Sequence, residues 1–350
     1  MKNNFITLLT LLLSVNLFSQ STDLDKFYFK TESLLLPAYY FPEEERTFYI
    51  NVSANKTGIS FDAEQINING YKRDSENKTG IEIEVYLPNG FNPGEPEVVK
   101  RTETIKDRND NTIQVNYYKV NRRYNYGTFN KAIIKDRGIK KALLLSYEQE
   151  YATKEYESSE QAIDEYNLKK GEWNEDFRKR VVQSNYIDIN SYFNKLLGYT
   201  IYREEIKLWL LGSTKNPEYE KHQQALEIIQ NAFKDVKYNY LPEDIEERLK
   251  PAILIFEELL QKYREDNKKS KKIRYASYYN LMKIYYCIDN FNKAVEYANL
   301  LINNGYDKKD GSNMLEEINK KREGMNLNKV KSLHFDIQNY NEYAIKHKQY

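Results

Sequence analysis

Three histidines (His222, His334 and His347) and one cysteine (Cys287) are all the imidazole and thiol that this 350-residue chain offers. A single thiol forms no internal disulfide and builds no cysteine-rich zinc or iron–sulfur centre. No histidine has a second one four residues away, so the paired helical ligands of a zinc protease are missing. The sequence also lacks a GxxxxGK[ST] phosphate loop and a GxSxG nucleophile elbow. His222 is expected on a helix surface, and His334 and His347 in an exposed, charged C-terminal segment. Carboxylates are plentiful, as in Glu43-Glu44-Glu45 and around Asp307 and Asp310. Asp307–Ser312 has the start of a calcium loop, but its twelfth position is Ile318 where that loop needs a glutamate. The segment is expected to join two helices, with Asp310 or Ser312 capping the second. Paired carboxylates of a glycosidase meet in the fold rather than in the sequence, so spacing selects none. The sequons at Asn51, Asn55 and Asn77 are read as chance matches in an Asn-rich chain. No catalytic, metal or cofactor-binding residue is assigned, and no cofactor is expected.

The elements that would position any such groups follow from composition and periodicity. Hydrophobic residues make up 40% and charged residues 30%, which excludes wholesale disorder. The length corresponds to roughly two or three domains. With 53 basic and 52 acidic side chains the formal charge is +1, whereas nucleic-acid binders carry a basic excess. The dense basic run Lys268-Lys269-Ser270-Lys271-Lys272, with Arg274, is expected in a solvated interhelical loop. The 32 tyrosines are read as the codon bias of an AT-rich genome.

Lys2 precedes an apolar run of about 14 residues, Phe5–Phe18, then Ser19-Gln20, the layout of a secretory signal peptide. The run is short for a membrane span, which needs about 20 residues. Cleavage is expected after Ser19. It removes Lys2 and no acid, leaving a neutral chain, periplasmic or extracellular, with no integral membrane segment. Residues 20–155 read as a β-rich domain. Ile81, Ile83, Val85 and Leu87 alternate with less apolar residues, as do Phe48, Ile50 and Val52, and Ile113, Val115 and Tyr117 open a further strand. Ala142–Leu145 is continuously apolar, as in a central strand. Turns are expected at Asn69-Gly70, Asn89-Gly90, Asn92–Gly94 and Asp136–Gly138, giving a small antiparallel sheet or sandwich. Residues 156–215 read as a mixed segment. A helix runs from Ser158-Ser159 to about Arg180, a strand spans Val181–Ile189, and a short helix spans Ser191–Leu197. A long strand then covers Thr200–Leu211, bulged where its apolar phase slips between Ile201 and Ile206. Trp209 is read as packing. Residues 216–330 read as helical, opened by Pro217-Glu218. The apolar stripes are Ala225/Ile229/Ala232/Val236, Ala252/Phe256/Leu259/Tyr263, Tyr278/Leu281/Tyr285/Ile288 and Phe291/Ala294/Ala298/Leu301. Pro251 is expected to begin or kink its helix. Residues 331–350 read as a charged tail. The fold class is therefore α+β: an antiparallel β-rich N-terminal region, a mixed middle and C-terminal helical hairpins.

Tyr278–Leu301 resembles one tetratricopeptide repeat. The matching residues are Leu281 and Tyr285 on its first helix, and Phe291, Ala294, Tyr297 and Ala298 on its second, with Asp289-Asn290 between them. The first-helix glycine of that family is replaced by bulky residues. Phe256–Leu260 resembles a preceding repeat, but Ala252 and Ala294 are 42 positions apart, against a family period of about 34. The resemblance covers about a third of the chain. It implies a short helical solenoid, a protein- or peptide-contacting surface and no chemistry, and it makes those six residues candidate repeat-packing positions. More broadly, three segments are similar to uncharacterised exported envelope proteins of Bacteroidota: Leu36-Pro37 before Thr47–Val52, Ile68–Tyr71 before Ile81–Leu87, and Ala298–Gly311. The expectation is a non-enzymatic scaffold or protein-binding protein of the bacterial envelope. The alternatives are a glycan-binding accessory protein using Tyr117-Tyr118 and Tyr124-Asn125-Tyr126, or a carboxylate-based extracytoplasmic hydrolase.

Overall fold

A computed structural model describes residues 22–54, 61–87 and 92–338. The leader, the Asn55 sequon, the Asn89-Gly90 turn and His347 lie outside these residues. The fold is α+β, and the described chain divides into two units, one of residues 39–199 and one of residues 22–38 with 200–337.

In the first unit, β2 (Thr47–Ala54) lies parallel to β3 (Lys72–Arg73) and β4 (Ile81–Leu87). The rest of the sheet is antiparallel and centres on the long β7 (Thr112–Ile134). That strand takes β4, β5 (Asn92–Pro93) and β6 (Glu97–Lys106) on one edge and β8 (Ile139–Ala152) on the other. The sheet is thus mixed where an antiparallel one was expected. Ala142–Leu145 is not a central strand, because β8 pairs with β7 alone and Leu144 is 76% exposed.

One face of the sheet is covered by α1 (Ser159–Leu196), a single helix through the region read as helix, strand and helix. Its buried positions Trp173, Phe177, Val181, Asn185, Ile189 and Phe193 recur every four residues. A polar residue at Asn185 interrupts the stripe, and the β-branched residues around it favour a strand locally. Burial against Tyr124, Ile83 and Val85 overrides that preference. Asn185 Oδ1 accepts from Thr128, from Asn130 and from the Tyr147 hydroxyl at 3.1–3.3 Å. Further along, Asn190 and Asn194 serve as a substitute strand. Asn190 accepts from the Asn67 amide at 2.7 Å and donates to the Gln65 carbonyl at 2.8 Å. Asn194 accepts from the Asn69 amide and donates to the Asn67 carbonyl, both at 2.7 Å. Extended backbone is thereby satisfied by a helix.

The second unit starts with β1 (Leu24–Leu35), which pairs antiparallel with β9 (Thr200–Leu211) along their whole length. The first strand therefore does not join the β-rich domain expected at 20–155. The register holds no bulge. The apolar phase slips in both strands together, with Leu34 opposite Ile201 and Phe29 opposite Ile206, all buried.

The outer edge of β9 is met by side chains. Asn280 accepts from the Trp209 amide and donates to its carbonyl, each at 2.8 Å, and His222 Nδ1 accepts from the Leu211 amide at 3.1 Å. His222 is fully buried against Phe256, not on a surface, and burial pushes its pKa down to about 4. The helices are α2 (Tyr219–Phe233), α3 (Ile245–Lys262), α4 (Lys268–Cys287), α5 (Phe291–Asn304) and α6 (Lys308–Asn328). Pro251 stands inside α3, which begins at Ile245. The basic run expected in a loop forms the first turns of α4, capped by Asn267. The cap of α6 is Asp307, whose side chain accepts from the Lys309 amide; Asp310 instead accepts from the Tyr275 hydroxyl at 2.6 Å. The start of the expected tail is docked on this unit. Leu333 and His334 are buried, Leu333 accepts from the Leu34 amide, and Asp289 binds the Ser332 hydroxyl at 2.7 Å and the Leu333 amide at 2.6 Å.

Candidate functional site

Helices α4 and α5 are joined by residues 288–290 and pack on each other, and α3 and α6 pack on either side of the pair. The six positions matched to the tetratricopeptide pattern (Leu281, Tyr285, Phe291, Ala294, Tyr297 and Ala298) are all buried here. Tyr285 and Tyr297 stack with ring centroids 5.7 Å apart and planes 7° apart, and Phe291 meets the edge of Tyr286. Ala298 lies under the next helix: a Cβ built on Gly311 would stand 2.7 Å from the Ala298 carbonyl oxygen. That crossing depends on two small residues. Cys287 is buried, and burial pushes its thiol pKa up, away from nucleophilic use.

Between α3, α4 and α5 lies a groove of about 1150 Å³. Leu254 and Leu300, 47% and 37% exposed, give it apolar surface, with the half-buried Tyr278. Glu257, Glu258 and Glu296 supply acids, while Lys262, Arg264, Lys271 and Arg274 supply bases. Tyr297 is the one buried titratable side chain among its lining residues. Its hydroxyl donates to Glu257 Oε1 at 2.8 Å, and burial followed by that carboxylate keeps the phenol protonated. Arg274 bonds the Glu265 carbonyl at 2.8 Å and Asn304 Oδ1 at 3.0 Å, and Asn304 donates to the Lys271 carbonyl at 2.8 Å. This network fixes the basic end of the groove to the helix ends. The exposed ion pairs, such as Lys271–Asp266 at 2.7 Å, add little rigidity.

A second cavity of about 720 Å³ lies between the ribbon and α2. Phe29 and Phe233, with centroids 4.4 Å apart, floor it. The buried Thr31 hydroxyl on its wall has no hydrogen-bond partner. Glu204, directly across the ribbon from Thr31, has its carboxyl pKa raised by burial, against the pull of Lys321 and Lys283.

Of the six sequence-assigned residues, Tyr297 alone lines the groove. Leu254, Glu257, Arg274, Leu300 and Asn304 were missed. The available signal was an apolar residue out of phase with its stripe, as Leu254 is two positions before Phe256 and Leu300 one before Leu301. The tyrosines offered as a glycan platform are not one surface, since Tyr124 and Tyr126 are buried, and Arg101 and Lys100 lie over Tyr117 and Tyr118. No group of three or more His, Cys, Asp or Glu side chains that could hold a metal occurs among the described residues. No helix of the described residues is long and apolar enough to cross a membrane. No protein-family model matches the chain, and no curated protein matches it.

Proposed function

We propose that the protein is a non-enzymatic, exported scaffold that holds a peptide segment or helix of another protein in the groove between its helical hairpins. The observation that carries this reading is the groove itself. It is open, has exposed leucines and is flanked by fixed charges of both signs, a combination suited to an extended or helical segment rather than to a small reacting molecule. Export rests on the leader sequence. The mature chain should begin at Gln20 when sequenced from its N-terminus.

Affinity purification of the tagged protein from crosslinked cells, with mass spectrometry, tests the binding role. A partner recovered with the native protein and lost with Leu254→Asp/Leu300→Asp supports the groove. Recovery unchanged by that variant removes it.

One observation favours a second reading, a carboxylate-based hydrolase: Glu204 beside the cavity floored by Phe29 and Phe233, its carboxyl pKa raised by burial. Turnover of glycan, peptide or ester substrates that disappears in Glu204→Gln would replace the scaffold reading with that one.

A further inference from the structure

The outer edge of β8 is left without a partner strand among the described residues. The β7–β8 ladder continues through the Thr153 amide, which donates to the Val120 carbonyl. In an antiparallel pair bonded positions alternate, so the odd residues of β8 bond β7 and the even ones point their N–H and C=O groups off the outer edge. Two contacts agree with this: the Tyr192 hydroxyl donates to the Ala142 carbonyl at 3.1 Å, and the Gln149 side chain to the Glu150 carbonyl at 2.9 Å. Burial follows the same alternation, with odd side chains toward α1 and even ones exposed. No described strand occupies this edge.

The exposed even residues read Lys140, Ala142, Leu144, Ser146, Glu148. Reversed, they read Glu, Ser, Leu, Ala, Lys. We propose that β8 pairs antiparallel with β8 of a second copy of this chain, with Leu144 opposite Leu144 on the two-fold axis. Each Lys140 then faces a Glu148, and each Ala142 faces a Ser146. Lys140 and Glu148 are the uncommitted charges of this face, because neither makes an ion pair or side-chain hydrogen bond among the described residues. Sliding the register by two in one direction would set Lys140 against Glu150, which Arg123 already holds at 3.2 Å. Sliding it the other way leaves Lys140 against Ser146. Charge therefore selects one register.

The apolar surface agrees. Tyr86 is opposite Phe129, and Phe129 is opposite Leu144, forming a row across three strands on the sheet face away from α1. Tyr86 is 41% exposed and Leu144 76%. The two-fold joins this row to its copy, so one continuous ridge crosses the paired sheets. The Ala142 carbonyl, already bonded to Tyr192, accepts the second amide through its other lone pair.

Sedimentation equilibrium of the purified full chain over a range of concentrations tests the proposal. A reversible dimer is expected. Lys140→Glu and Glu148→Lys should each weaken it about tenfold or more, because like charges then meet at both ends. The double variant should recover most of that loss. Ser146→Pro removes an outward amide without touching the β7 ladder and should also abolish the dimer, with circular dichroism confirming each fold. Three results would each overturn the pairing: a chain monomeric at every concentration, a dimer indifferent to both single charge reversals, or a double variant as weak as the singles.

Discussion

Protonating His222 would destroy the bond its Nδ1 accepts from the Leu211 amide, and its Nε2 has no hydrogen-bond partner; burial outweighs the opposing pull of the Glu218 carboxylate. Burial holds its pKa near 4 in the folded chain, below the 6.5 of a free imidazole. The unfolded chain therefore binds more protons between these values. The stabilisation is complete above about pH 6.5 and is lost as the pH falls toward 4, amounting to about 3 kcal/mol in all. Urea midpoints at pH 7.5 and 5.5 should show the fall, and His222→Asn should flatten it. At the same scale, Ala294→Glu forces a charge into a fully buried position and should cost about 2–4 kcal/mol, whereas Lys293→Glu beside it, exposed, should cost little. Equal shifts in melting temperature would contradict the buried position of Ala294.

Among the elements, α1 shows most directly what periodicity conceals. Asn190 and Asn194 replace a strand's hydrogen bonds for residues 65–69. Asn194→Leu strands the Asn69 amide and the Asn67 carbonyl, and should destabilise by about 2–4 kcal/mol, with Asn69 losing hydrogen-exchange protection. Two helical glycines should respond oppositely. Gly171, exposed in α1 with nothing within 4 Å of a new Cβ, should gain about 0.5–1 kcal/mol as Ala. Gly311→Ala drives its methyl into the Ala298 backbone and should lose stability. Calorimetry of the two variants reads both signs. Four of the five described helices of 216–330 were legible because apolar residues recur on them at helical spacing, although His222 and Asn280 share the buried faces of two; α6 offered no such stripe. The long helix α1 was not legible, because Asn185 occupies a core position by satisfying polar partners, which no hydropathy period records. The β1–β9 pairing was hidden for a different reason: a strand's alternation says that it has a buried face, not which distant segment it meets. The groove was half legible. Tyr297 follows from a stripe, while Glu257, Arg274 and Asn304 are polar residues that only the helix packing brings together.

At the scale of the whole molecule each unit contains one of the two tryptophans, Trp173 in the sheet unit and Trp209 in the ribbon unit. This makes the acid sensitivity of His222 assignable. In Trp173→Phe, where Trp209 alone reports, the fluorescence midpoint in urea should drop between pH 7.5 and 5.5. In Trp209→Phe, where Trp173 alone reports, it should hold nearly constant. A drop of the same size in both would mean that the two units unfold together, and its loss in His222→Asn would then identify the titrating group.

The sheet unit enters and leaves through the ribbon, since Leu35 and Thr200 face each other as its last register partners. Topologically it is a cassette spliced into the loop of a hairpin. A designer could therefore delete residues 36–199 and close the gap with Asn-Gly, the two-residue turn that such strands accept. Of the described residues, the product would keep the hairpin, the five helices and the whole groove between α3, α4 and α5.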